Sequence, residues 1–166
     1  MEVTTVDDFL PPPIFEELKN LIVRNREFPL HFQSGDGVGM WDWYLTHMVY
    51  LNHEPTSKYY PQISKWFIHI LSRQPLFNLR SFLRIKINCY PYTYELKEHY
   101  DHIDYGFSHV SGVFSLNTCD GFTRIGNDTK IESVENRIVF FDGSQRHNST
   151  TTTNDFGRYN ITFNFL

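Results

Sequence analysis

At about residue 79 the hydrophobic period of this chain changes from 3.6 to 2, and that switch limits the available folds more than any other feature. Leu83, Ile85, Ile87 and Cys89 alternate with Arg84, Lys86, Asn88 and Tyr90, the signature of a half-buried strand. Further strands are expected around 102–105, 109–117, 122–125, 129–134, 136–142 and 158–166. Turn signals at Asp120-Gly121, Gly126-Asn127-Asp128, Asp142-Gly143 and Asn154-Asp155 separate several of them. Upstream the helical period rules. Ile14, Phe15, Leu18, Leu21 and Ile22 share one face behind three prolines, with Glu16 and Glu17 expected in the first turn, where the helix dipole favours acids. Ile63, Trp66, Phe67, Ile70 and Leu71 mark a second helix behind Pro61, expected to lie flat on a sheet. Between the helices, the glycine-rich run 35–40 reads as a loop leading into a strand at the aromatic run Trp41, Trp43 and Tyr44, which is either a rim that clasps a substrate or part of the core. Two helices followed by seven or eight short strands predict a mainly β protein, an antiparallel sandwich or barrel with the helices supporting one face. No repeat, low-complexity tract or second domain interrupts residues 1–166, so one domain is expected.

Composition narrows the function classes. With 40% hydrophobic and 17% aromatic residues, the chain can build a real core. No stretch approaches the roughly 20 apolar residues of a membrane helix. The first residues are acidic where a secretory signal is basic and then apolar, so a cytoplasmic protein is expected. Cys89 and Cys119 form neither a disulfide framework nor a metal-spaced pair and are expected to be reduced and close to the core. The net charge of -4 is uneven: residues 58–97 carry seven Lys/Arg against one acid. Such a segment suits an anionic substrate or a nucleic acid, but a solvated helix face and strand edge explain it more simply.

The chemistry is concentrated in the stretch EHYDHIDYG, residues 98–106, which holds two His-x-Asp triplets, His99-Tyr100-Asp101 and His102-Ile103-Asp104. His147 follows in FFDGSQRHN and Arg158 eleven residues later, at the head of the last predicted strand. Two histidines and one carboxylate on one side of an octahedron suit Fe(II) and leave three positions for other ligands. A 2-oxo acid fills two of these and carries a second carboxylate at its far end, for which a guanidinium is the matching receptor. The remaining histidines, His31, His47, His53, His69 and His109, read as ordinary surface or hydrogen-bonded core residues.

In these segments the chain resembles the Fe(II)- and 2-oxoglutarate-dependent dioxygenases, in particular the prolyl-4-hydroxylase type and its short phage and marine microbial forms. The resemblance rests on NCYP (88–91), HIDY (102–105), VSGVFSLN (110–117), ESVENRIVFFDGSQRH (132–147) and RYNITFNF (158–165), in that order. It implies a double-stranded β-helix, Fe(II) held by His102, Asp104 and His147, and 2-oxoglutarate held by Arg158 with Tyr90 and Thr162 as candidate hydroxyl partners. The implied reaction is hydroxylation of an unactivated C–H bond with release of succinate and carbon dioxide, with ascorbate as a candidate auxiliary reductant. Strand parity would put 102 and 104 on one face and 99 and 101 on the other. HIDY matches the family better than HYDH; the pair His99 and Asp101 is the alternative. Ser115 departs from the pattern, where a tyrosine often stands, and weakens any inference of strict prolyl specificity. The expected substrate is a peptidyl residue, proline among them, or a small molecule. Two other classes stay open: a non-catalytic cupin-like metal- or ligand-binding module, and, less favoured, a nucleic-acid demethylase.

Overall fold

A computed structural model describes residues 1–35, 42–73 and 79–166. Along the chain run β1 (Thr4–Val6), α1 (Pro12–Ile22), β2 (His31–Ser34), β3 (Trp43–Leu51), β4 (Glu54–Pro55) and α2 (Tyr60–Leu71). Then follow β5 (Phe82–Pro91), β6 (Val110–Ser115), β7 (Phe122–Ile125), β8 (Thr129–Glu132), β9 (Ile138–Asp142), β10 (His147–Ser149) and β11 (Gly157–Phe165). All strand pairs are antiparallel. The larger sheet has the order β1-β9-β6-β11-β5-β3-β2, with β4 paired to β3, and the smaller sheet is β10-β7-β8.

The alternation in β5 and β11 has a simple consequence, because the two strands pair in register with Arg158 opposite Tyr90 and Asn160 opposite Asn88. One face offers Ile85, Ile87, Ile161 and Phe163, which are fully buried under Phe15, Leu18 and Ile22 of α1 and Ile63, Phe67 and Leu71 of α2. The rings of Phe67 and Phe163 stand 4.2 Å apart, and Phe67 meets Phe114 at 5.2 Å, so α2 lies on the sheet as its apolar stripe predicts. On the opposite face, Val113, Val139 and Phe141 of the larger sheet pack on Ile125 of the smaller one. Away from this second cluster the same face is polar: Arg84, Asn88, Arg158, Asn160, Thr162 and Asn164 share hydrogen bonds inside the protein.

Several expectations need correction. The polar side of β5 faces an interior cavity rather than bulk water, so Arg84 and Lys86 are not part of a solvated edge. Helix α1 begins at Pro12, which moves Glu16 and Glu17 past the first turn; they pair instead with Arg24 and Lys65. No regular strand forms at 102–105; the chain there is irregular, with isolated bridges from Glu98 to Thr150 and from His102 to His147. Strands β1, β2, β4 and β10 carry too few residues for an alternating pattern to be legible. Most of the glycine-rich run and Trp41 lie outside the described residues. Trp43 opens β3 half-buried and stacks on exposed Phe32 at 5.9 Å. Cys89 and Cys119 are free and buried, as expected.

Candidate metal centre

The segment carrying the His-x-Asp triplets has no strand partner along its length, and it is held by β10 and by the turn that joins β9 to β10. His102 and His147 exchange both backbone hydrogen bonds, at 3.0 and 2.9 Å. On either side, His99 N–H donates to Ser149 O at 2.8 Å and Asp104 N–H to Gly143 O at 3.0 Å. These anchors bring one ligand atom each of His102, Asp104 and His147 within 4.8 Å of one another. His147 Nε2 lies 3.6 Å from an Asp104 carboxylate oxygen. Metal bonds of about 2.1 Å at right angles place neighbouring donors about 3 Å apart, so the three need only a small closure to share one ion.

The protonation states suit that role. His147 Nδ1–H donates to Gln145 O at 2.8 Å, which leaves Nε2 for a metal. Burial lowers the His147 pKa, with Asp104 pulling the other way, which favours the neutral ring that a metal would bind. Burial alone would raise the Asp104 carboxyl, but the Arg84 guanidinium, then His147, Asn164 and Ser111, hold it far below the ordinary carboxylate range. Two nitrogens and an ionised oxygen are the donor set of the Fe(II) facial triad.

Arg158 opens the inner face of β11 and is 1% exposed. Its Nη2 donates to Thr123 Oγ1 at 2.7 Å and its Nε to Ser133 Oγ at 3.3 Å, while buried Nη1 has no hydrogen-bond partner among the described residues. No carboxylate of the described residues pairs with it. A buried, unneutralised guanidinium is costly, and an incoming carboxylate removes the cost, which is the fit expected of a 2-oxo diacid. The buried Tyr90 ring lies 5.4 Å from the guanidinium carbon. Gly121 makes room for the arginine: a Cβ there would lie 2.6 Å from Arg158 Cδ and 2.7 Å from Thr151 O. Thr162 is buried on the same face, its hydroxyl accepting from Asn88 at 3.0 Å. Ser115 is buried, and Ser133, whose hydroxyl touches Arg158, also reaches Ser115 Oγ at 3.4 Å.

His99 and Asp101 are not brought together with His147. Asp101 accepts from Asn148 Nδ2 at 2.9 Å, and His99 Nδ1 donates to Asp42 Oδ1 at 2.5 Å. The parity expectation fails in one respect, since His99 lines the same cavity as His102 and Asp104. Side chains alternate only along a pleated strand, and this segment is not one. The cavity, about 280 Å³, lies between the triad and β3, where Tyr44, Thr46 and Met48 face Lys86. Sequence reasoning missed Asp42, Arg84, Ser111 and Asn164. Even-numbered spacing with Arg158 was the available signal for Asn164.

No family model and no curated protein matches this chain. Solved structures do. A prolyl-4-hydroxylase from Pseudomonas putida superposes with a TM-score of 0.65 at 17% identity, over 98% of this chain and 91% of that one. A prolyl hydroxylase from Trichoplax adhaerens, in complex with a peptide of the hypoxia inducible factor oxygen degradation domain, gives 0.64 at 15% identity over 99% and 83%. A 2OG-Fe(II) oxygenase family oxidoreductase from Burkholderia pseudomallei gives 0.72 at 11% identity over 98% and 84%. The chain therefore has the double-stranded β-helix fold of the 2-oxoglutarate and Fe(II) oxygenases.

Proposed function

We propose that this protein is an Fe(II)- and 2-oxoglutarate-dependent oxygenase that hydroxylates a peptidyl residue, proline among them, or a small molecule. One observation carries the reading: His102, Asp104 and His147 converge beside a cavity in a barrel that also buries Arg158 with no carboxylate partner among the described residues. The triad would hold the iron, and Arg158 the far carboxylate of 2-oxoglutarate, with Tyr90 and Thr162 lining that end. Together the iron and cosubstrate would supply oxidising power for C–H hydroxylation, the cosubstrate leaving as succinate and carbon dioxide. The protein's own part is to fix the ligands, neutralise the cosubstrate charge and keep the site dry.

A cavity of about 280 Å³ suits one side chain or a small metabolite. The peptide seen in the Trichoplax structure supports the peptidyl option for this chain. Against a nucleic-acid substrate stands the direction of Arg84 and Lys86, which line the cavity instead of an outer stripe. A plain cupin-like binding module has no use for a buried carboxylate receptor. No described helix is long and apolar enough to cross a membrane.

The test is an anaerobic titration of the metal-free protein with Fe(II) and then 2-oxoglutarate, followed by succinate analysis in air with and without ascorbate. A visible charge-transfer band and succinate formation are expected. Iron bound with no band on adding 2-oxoglutarate would overturn the assignment.

A further inference from the structure

Asp104 is heavily engaged in the cavity, and its partners come from three different strands. Arg84 of β5 donates from Nη2 to Oδ1. Ser111 of β6 donates to Oδ2 at 2.9 Å and Asn164 of β11 donates to Oδ2 at 2.7 Å. An ionised carboxylate offers about four lone-pair sites. Three are taken by these donors, which leaves one for a metal.

Asn164 couples the parts. Its Oδ1 accepts from Arg84 Nε at 2.9 Å, while its Nδ2 faces Asp104, Ser111 Oγ at 3.1 Å and His109 Nε2 at 3.2 Å. A flipped amide would lose the Arg84 bond and set its oxygen against the carboxylate, so the orientation is fixed. His109 is fixed in turn. Its Nδ1–H donates to Phe107 O at 2.9 Å, which leaves Nε2 to accept from Asn164. A Cβ on Gly143 would lie 2.2 Å from His109 Nε2, so the bare glycine makes the ring's position possible, and the Gly143 carbonyl holds the Asp104 backbone. Arg84 is further confined by the Tyr105 ring, 5.7 Å from its guanidinium carbon.

We infer that Arg84, braced by Asn164, is a positioning residue for the metal centre: it grips Oδ1 of Asp104 and sets the orientation in which the carboxylate meets the ion. The inference rests on the proposed metal-binding role of the triad. Arg84 holds Asp104 in place before any ion arrives, so the ordering cost is met in folding and metal affinity gains. Neighbouring Lys86 lines the same cavity but reaches Tyr44 OH at 3.3 Å rather than Asp104.

The experiment uses Co(II) as a spectroscopic probe, titrated into the metal-free protein. Wild type is compared with Arg84→Met, Arg84→Lys and Asp104→Ala, with urea unfolding of each metal-free variant as the control for folding. Outer partners of metal ligands typically carry roughly 10–100-fold in affinity, and that loss is expected for Arg84→Met together with altered Co(II) d–d bands. Arg84→Lys, which restores one donor but not the fork, should recover part of the affinity. Arg84→Met binding Co(II) with wild-type affinity and an unchanged spectrum would overturn the inference. If Arg84→Met does not fold, Asn164→Ala removes the brace and is read in the same way. Failure of the metal site itself looks different: Asp104→Ala would then bind Co(II) as wild type does.

Discussion

His102 and His147 are 45 residues apart in sequence, yet they exchange both backbone hydrogen bonds and their rings stand 4.5 Å apart. One antiparallel bridge thus sets two of the three candidate ligands. It also places His102 rather than His99 beside His147, because His99 bonds to the neighbouring Ser149 while its ring turns to Asp42.

Substitutions should separate the triplets. His102→Ala, Asp104→Ala and His147→Ala are each expected to abolish the anaerobic charge-transfer band. His99→Ala should keep it while losing about 1–3 kcal/mol of stability, since buried Asp42 loses the His99 hydrogen bond. Parallel anaerobic titration and urea unfolding of the four variants check both outcomes.

Arg158→Met should leave Fe(II) binding intact and weaken 2-oxoglutarate binding by about 2–5 kcal/mol, the usual effect of deleting one partner of a buried charge pair. The metal-free variant should not be less stable than wild type to the same degree. Its guanidinium is buried with Nη1 unsatisfied, so part of what is deleted is a cost. Isothermal titration with 2-oxoglutarate in the presence of a redox-inert divalent metal measures the affinity.

Gly121→Ala tests the packing that admits Arg158. The added carbon meets backbone at Thr151 O as well as the arginine stem, so the strain cannot be relieved by one flexible side chain. Overpacking of this kind costs about 1–3 kcal/mol, and weaker 2-oxoglutarate binding should accompany it. Thermal unfolding with and without 2-oxoglutarate is the measurement.

The metal-free protein should lose stability in two stages on acidification. Burial lowers the pKa of His47, His99 and His147, so as pH falls through the ordinary histidine value near 6.5 the unfolded chain takes up protons that the folded one refuses. Their contribution is fully present above that pH and fades below it. Asp104 and Asp142, the latter lowered to about 2, are ionised in the fold well below the ordinary 3.8, so a second loss begins near pH 4. Bound metal should steepen the first stage, because protons and metal compete for His147. Urea midpoints between pH 3 and 8, with and without Co(II), give the profile.

Much of this was legible in the chain itself. The alternation in 83–90 and 158–165 defined β5 and β11, and the 3.6 period defined both helices, because a two-faced element must write its period into the sequence. The histidine and aspartate pattern and Arg158 named a donor set and a carboxylate receptor, since those chemistries admit few residue types. What covers a polar face is not written in that face. Only the packing of residues 99–104 against β3 and β5 turned Arg84 and Lys86 from apparent surface residues into the lining of a cavity. Which triplet stands beside His147 was likewise decided in three dimensions. Residues 98–105 have no pleat of their own, so their side chains take their directions from the hydrogen bonds to β10 and to the turn before it.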